Sequence, residues 1–151
     1  MLHDRRAPIR QGNIDHIAIA PTGVYVIDCK RYKGKIQVVK PPFGRASLKI
    51  NRRNRTRLLE GLGRYVADVE AAVAGVADGV PVHGCLCFVA PAGLLSEIGL
   101  PMLRTLKIDG YALYGPRRLA KRLNKRGPLT AERANLLHAE LAQRLPPALP
   151  S

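Results

Sequence analysis

Two aspartates and a lysine occupy a short apolar stretch in which ionisable side chains need a chemical explanation. The stretch reads "NIDHIAIAPTGVYVIDCKRYKGKI", with Asp15 on one arm and Asp28-Cys29-Lys30 on the other. Carboxylate oxygens are ligands that hard divalent cations prefer. An amine on the same face would stand beside a water molecule bound to such a cation. These residue types therefore indicate a metal site with a neighbouring cationic group.

The two arms must form a β-hairpin if the carboxylates are to meet. Pro21-Thr22-Gly23 has the composition of a turn between two β-rich segments, which predicts a hairpin over residues 14–30. A turn centred on Pro21-Thr22 places Asp15 opposite Asp28. A bulge at Gly23 would shift the pairing by one residue and place His16 there instead, and the sequence leaves both registers open.

Like charges directly opposed on a sheet are destabilising unless something neutralises them. A divalent cation does so economically, with Mg²⁺ as the first candidate and Mn²⁺ as the second. Lys30 lies two residues beyond Asp28 and so projects from the same face of a regular strand. The alternative is an ordinary sheet, in which Asp28 simply pairs with Lys30 or a nearby arginine.

The whole stretch resembles the core of the nuclease-related domain (NERD) family. The matching residues are Ile14-Asp15-His16, the turn Pro21-Thr22-Gly23, the apolar strand 24–27, Asp28-Cys29-Lys30 and Gly34. "RNRTRLLEGLGRYVADVEAAV" and "PVHGCLCFV" extend the resemblance through about residue 90. The family is similar to the PD-(D/E)xK nuclease superfamily, which implies a restriction-endonuclease-like α/β core and a metal-dependent DNA cleavage site.

The resemblance also implies a role for each site residue. Asp15 would be the first metal carboxylate, Asp28 the second, and the Cys29 backbone carbonyl a third ligand. Lys30 would orient or activate the attacking water, while the cation polarises a phosphate oxygen. His16 is a candidate to hydrogen-bond a metal ligand. The expected activity is endonuclease-like hydrolysis of phosphodiester bonds in DNA.

One part of the family pattern has no counterpart in this sequence. Family members usually begin with a helix that carries a Gly-Glu pair, whose Glu joins the metal site, and no Glu precedes Asp15 here. Either the start of the sequence is trimmed, or Asp4 or Glu60 replaces this Glu, although Glu60 fits a solvent-facing or salt-bridging position better, or the protein binds nucleic acid and cleaves it poorly. The alternative function is therefore a catalytically silent nucleic-acid-binding module with the same fold.

The charge of the chain favours a polyanionic partner. Lys and Arg number 25 against 11 Asp and Glu, a formal net charge of +14, and such an excess in a small domain is typical of nucleic-acid binding. A basic surface that serves solubility or binds an acidic protein is the alternative. We predict DNA contacts at three basic segments: Lys30, Arg31, Tyr32 and Lys33; Arg52, Arg53, Arg55 and Arg57; and Arg117, Arg118, Lys121 and Arg122.

The order of the elements predicts a mixed α/β or α+β class. Strands are expected at 1–6, in the hairpin, at 35–39 and at 47–50, followed by a helix from Thr56 to about Val76. A buried strand follows at 81–91, then a loop at 92–103, short strands around Asp109-Gly110, and helices at 116–125 and 131–144. We expect one domain over residues 1–145, without the family's usual N-terminal helix, and a frayed tail at 146–151.

Several protein classes are not supported by the sequence. No apolar run is long enough to span a membrane, and the first residues lack the apolar core of a secretory signal, so we expect a cytoplasmic protein. Cys29, Cys85 and Cys87 lack the spacing of a structural zinc site and are expected to be reduced thiols. The sequence contains no P-loop, G-x-S-x-G or H-E-x-x-H motif.

Overall fold

The computed structural model describes residues 1–7, 12–32, 34–89, 98–99 and 104–150. Its strands are β1 (Leu2–Arg6), β2 (Asn13–Ala20), β3 (Gly23–Lys30), β4 (Gly34–Val39), β5 (Ser47–Ile50), β6 (Arg53–Asn54), β7 (Val82–Phe88), β8 (Ile98–Gly99), β9 (Leu106–Ile108) and β10 (Tyr111–Tyr114). Its helices are α1 (Arg57–Val73), α2 (Pro116–Leu123) and α3 (Ala131–Arg144).

The described strands form one large mixed sheet and one small sheet. The large sheet has the order β1-β2-β3-β7-β10-β9, in which β7 runs parallel to both β3 and β10 and the other pairs are antiparallel. The small sheet has the order β6-β5-β4-β8. Since β7 lies between two parallel neighbours and is covered on both faces, its sequence is a nearly continuous apolar run.

The large sheet separates two apolar clusters, one for each layer of helices. Even-numbered residues of β3, Val24 and Val26, join the larger cluster with residues of α1 and α3. Odd-numbered Tyr25 and Ile27 join the smaller cluster with Leu119 of α2. The fold is therefore α+β, with a sheet between helices, as in a restriction-endonuclease-like core. None of the described helices combines the length and apolarity that crossing a membrane requires.

The predicted strands and the last two helices are confirmed, while three details differ from the sequence prediction. Helix α1 ends at Val73, about one turn early, because Gly75 adopts a positive φ of 79° just beyond it. Residues 98–99, predicted as loop, form β8 and pair with β4; the rest of the predicted 92–103 loop lies outside the described residues. The tail predicted to fray instead hydrogen-bonds to β1, through Arg6 N to Pro146 O at 2.9 Å and Ala148 N to Asp4 O at 2.9 Å.

The turn of the β2–β3 hairpin depends on the missing side chain of Gly23. Gly23 has a φ of 135°, and a Cβ there would lie 2.5 Å from the Pro81 carbonyl oxygen. We expect Gly23→Ala to lower the free energy of unfolding by about 1–3 kcal/mol. Gly61→Ala, in the open surface of α1, should raise it by up to about 1 kcal/mol, since alanine favours helix. Urea unfolding of both variants measures these changes. Equal changes in the free energy of unfolding would contradict the structure of the turn.

Candidate metal site and nucleic-acid surface

The hairpin register brings the two site carboxylates together. Ala20 pairs with Gly23 across the turn, and the ladder continues to Ile17 opposite Val26 and His16 opposite Ile27. Continuing the same register by one residue places Asp15 opposite Asp28. The register with the turn centred on Pro21-Thr22 is therefore confirmed, and the bulged register with His16 opposite Asp28 is wrong.

At the end of this ladder, the Asp15 carboxylate accepts the hydrogen bond that a backbone carbonyl of β2 would otherwise accept from β3. Its Oδ2 accepts a hydrogen bond of 3.0 Å from the Cys29 backbone N–H. In an extended strand the N–H and C=O of one residue point to the same side. The Cys29 carbonyl is therefore directed toward the edge on which Asp15 lies. The backbone of Cys29 and the two carboxylates therefore lie at the same edge of β3.

Lys30 forms an ion pair with Asp28 within the same site. Lys30 Nζ lies 2.8 Å from Asp28 Oδ1, with the side chains 28% and 14% exposed respectively. Burial raises the pKa of Asp28 above its ordinary value; Lys30 opposes this increase, and the nearby Asp15 adds to it. Although burial lowers the pKa of Lys30, its hydrogen bond and attraction to Asp28 and the charge of Asp15 raise it overall. The pKa of Lys30 rises because two carboxylates lie close to it. The pKa of Asp28 also rises, because the single cation beside it does not offset the effect of burial.

The charge and donor atoms of this site suit a hard divalent cation. With all three groups ionised, the two carboxylates and the amine leave one uncompensated negative charge, which a bound cation would offset. Among the described residues, no three His, Cys, Asp or Glu side chains come together as a possible metal site. The protein donors that could hold a cation here are two carboxylates and a carbonyl, and Mg²⁺ usually keeps several waters beside so few protein ligands.

The two candidates for the missing glutamate are solvent-exposed. Asp4 lies in β1, where it has a positive φ of 46°, and Glu60 lies in the first turn of α1. Glu60 lines surface cavities near Arg55 and Tyr111. The solvent-facing position predicted for Glu60 is confirmed.

The side chains of His16 and Cys29 lie on the other face of the sheet from the carboxylates, by strand alternation. His16 Nδ1 is 2.6 Å from Nδ1 of His3, and the two rings pack edge to face. The three cysteines are free thiols, as predicted. A hydrogen bond with Cys87 lowers the pKa of the Cys29 thiol, while burial raises the pKa of Cys85 to about 12. Cys29 can therefore contribute its carbonyl, but not its sulfur, to the carboxylate side.

Part of the predicted basic surface lies next to the site. The Arg55 guanidinium is 5.2 Å from the centre of the Tyr32 ring, two residues beyond Lys30, and this stacking was not predicted. Both residues line a cavity of about 510 Å³ at the start of α1, together with Arg57 and Glu60. Of the basic residues predicted to contact DNA in this region, Arg31, Arg52, Arg53 and Arg57 are exposed; Lys33 lies outside the described residues.

The basic residues of α2 lie on the opposite side of the main sheet. Arg118, Lys121 and Arg122 line a separate cavity beside Tyr25, and Arg117 is exposed. They do not share a face with Asp28, which the sequence alone did not reveal. Sequence reasoning also missed Lys107 and Tyr114 in that cavity, because strands and a helix that are distant in sequence bring them together.

Comparison with known proteins agrees with this geometry. The family model described as "Nuclease-related domain" (NERD) matches residues 1–89, more than half of the chain, and this range contains the complete hairpin site. No curated protein and no solved structure matches the chain significantly. The chain belongs to the nuclease-related domain family.

Proposed function

We propose that this domain hydrolyses phosphodiester bonds in DNA with Mg²⁺ or Mn²⁺ as cofactor. The observation that carries the proposal is the hairpin register that opposes Asp15 and Asp28, with the Lys30 amine 2.8 Å from Asp28. Membership of the nuclease-related family supports it independently. Asp15, Asp28 and the Cys29 carbonyl would hold the cation, which when bound supplies Lewis-acid stabilisation of a phosphate oxygen.

The residues of the chain have distinct parts in this reaction. Asp15 fixes the backbone of Cys29 through its 3.0 Å hydrogen bond and so holds the ligating edge of the strand in place. The raised pKa of Lys30 keeps its amine protonated at neutral pH. A protonated amine in a half-buried site stabilises the negative charge that develops on the phosphate during attack. Lys30 therefore acts as an electrostatic group and not as a general base.

The cavity at the start of α1 is the surface that we propose for the DNA backbone. Arg55 and Arg57 bring positive charge to it, and Tyr32 joins it to the strand that carries Lys30. Thr56 does not cap α1 with its side chain, because its hydroxyl oxygen accepts a hydrogen bond of 3.1 Å from Leu48 N, while the hydroxyl donates to Asn54 Oδ1 at 2.7 Å. The first amides of α1 are already engaged, since Leu58 N donates to Arg55 O and Leu59 N to Thr56 O, each at 3.0 Å. The positive charge of the neighbouring arginines is therefore what favours phosphate at this surface.

A catalytically silent nucleic-acid-binding module is the second candidate function. It is favoured by the finding that no third acidic, His or Cys side chain joins Asp15 and Asp28 within the described part of the chain. Such a module would keep the basic surface and bind DNA with a strong dependence on salt. The two functions differ in whether cation binding and cleavage accompany DNA binding.

Titration of Mg²⁺ and Mn²⁺ by calorimetry, followed by supercoiled plasmid nicking in the same buffers, tests the proposal. We expect the wild type to bind the cation and to nick the plasmid, and Asp28→Asn to lose both. The asparagine keeps the shape of the side chain and relieves the repulsion from Asp15, so the variant should fold.

The matched control is Asp78→Asn, an exposed aspartate that lies near the β2–β3 turn, at the other end of the strands. It should bind the cation and nick as the wild type does. DNA binding by a wild type that binds no cation would overturn the nuclease proposal in favour of the silent module.

A further inference from the structure

A second cavity of about 520 Å³ lies on the α2 side of the main sheet, away from the carboxylate pair. Its walls come from β3, β7, β9, β10 and α2. The lining residues that bear on ligand binding are Tyr25, Tyr114, Lys107, Arg118, Lys121 and Arg122. This volume is within the range of small-ligand sites.

The sheet itself separates this cavity from the proposed metal site. Tyr25 and Ile27 of β3 belong to the apolar cluster on the α2 side. Asp28 and Lys30 alternate with them and share the face of Val24 and Val26, on the α1 side. A ligand in the cavity would therefore bind independently of the carboxylate pair.

The lining is strongly basic. Lys107, Lys121 and Arg122 line it with Arg118, and none of the described lining residues is an Asp or Glu. The ion pairs found in the described part of the chain are Lys30–Asp28 and Arg144–Glu140, neither of which involves Lys107, Lys121 or Arg122. Because like charges placed close together repel, an anion with several charges would be stabilised here.

The two arginines of the cavity are held by neighbouring side chains. The Arg122 guanidinium lies 5.9 Å from the centre of the Tyr25 ring, and Tyr25 is itself fixed by a 2.7 Å hydrogen bond with Thr22 Oγ1. Arg118 donates to Thr105 Oγ1 at 3.4 Å. Burial raises the pKa of Tyr114, although Arg122 opposes this, so its hydroxyl stays a hydrogen-bond donor at neutral pH. The cavity thus presents guanidinium, ammonium and hydroxyl donors together.

We propose that this cavity binds a phosphate group that carries two or more negative charges. Guanidinium and hydroxyl donors on rigid supports match phosphate oxygens better than they match a single-charge carboxylate. The rings of Tyr25 and Tyr114 are buried, so they offer no open face on which a base could stack. The phosphate group is consequently the part of the ligand that the cavity recognises. Its source is either the polyphosphate of a free nucleotide or the terminal phosphate of a nucleic acid.

Calorimetric titration with inorganic pyrophosphate in EDTA tests the cavity without any metal. We expect the wild type to bind, and Arg122→Gln to bind about ten-fold or more weakly, as for loss of a charged hydrogen bond. Lys121→Gln, at an exposed position that the fold does not need, should also bind more weakly. The control is Arg117→Gln, which removes the same charge from α2 outside the cavity and should change the affinity by less than about two-fold.

Absence of pyrophosphate binding by the wild type would overturn the inference. So would an equal loss in Arg117→Gln and Arg122→Gln, because the effect would then come from overall charge. Asp28→Asn should bind pyrophosphate as the wild type does, since it lies on the other face of the sheet. Failure of the proposed metal site would therefore leave this result unchanged.

Competition distinguishes the two sources of the phosphate. Displacement of pyrophosphate by a 5′-phosphorylated oligonucleotide, and not by its 5′-hydroxyl form, identifies a nucleic-acid end. Displacement by ADP and by neither oligonucleotide identifies a free nucleotide. Equal displacement by both oligonucleotides would show that phosphodiesters suffice and would overturn the requirement for a multiply charged group.

Discussion

Lys30→Met is expected to reduce metal-dependent plasmid nicking by about 100- to 1,000-fold, the usual loss when one charge-stabilising group is removed from a transition state. Methionine keeps most of the length and packing of the half-buried lysine stem but removes the amine that lies 2.8 Å from Asp28. Affinity for the cation should be retained or increased, because Lys30 competes with a bound cation for the same carboxylate. The two measurements are the nicking rate and calorimetric cation affinity.

Lys40→Met serves as the matched control, since Lys40 is exposed just beyond β4. It should retain the nicking rate apart from a small change in DNA affinity. Normal nicking by Lys30→Met would show that the Lys30–Asp28 ion pair is structural only. Loss of both nicking and cation binding would show instead that the site has collapsed, so the pair of measurements separates chemistry from folding.

The sequence predicted the centre of the candidate site because the information there is local. A short turn fixes the register of a hairpin, and the side-chain period of two then assigns each residue to a face. Asp15 and Asp28 are separated by one turn, so the sequence placed them close together in either register, and the pairing of β2 with β3 then showed that they are opposite each other. Helix α3 was predicted with similar accuracy, because Thr130 caps it by accepting a hydrogen bond from Arg133 N.

Features that depend on distant parts of the chain were not predicted. The pairing of Pro146 and Ala148 with β1 joins the two ends of the sequence. One local feature was also missed: the short strand β6 forms because Asn51 and Arg52 both take positive φ in a two-residue turn, a conformation that is uncommon for arginine. The face on which α2 packs is set by the position of β10, so the separation of its basic residues from Asp28 became visible only in three dimensions.

The central strand β7 links the stability of the domain to the position of the site. Leu86 is fully buried in the larger apolar cluster and is the register partner of Asp28 across the parallel pair. We expect Leu86→Ala to lower the free energy of unfolding by about 2–5 kcal/mol, since it loses buried methyl groups and leaves a cavity. That is a large fraction of the total for a small domain, which is about 5–15 kcal/mol.

Urea unfolding of Leu86→Ala beside Leu136→Ala gives the comparison. Leu136 is 63% exposed on α3, so its truncation should change stability by less than about 0.5 kcal/mol. Similar values for the two variants would contradict the central, doubly covered position of β7. Leu86→Ala removes a side chain beside Asp28 but leaves the backbone pairing of β3 and β7 and both carboxylates in place, so it should still bind the cation well below its unfolding midpoint. A loss of cation affinity in the folded variant would show that the carboxylate pair depends on core packing as well as on the hairpin register.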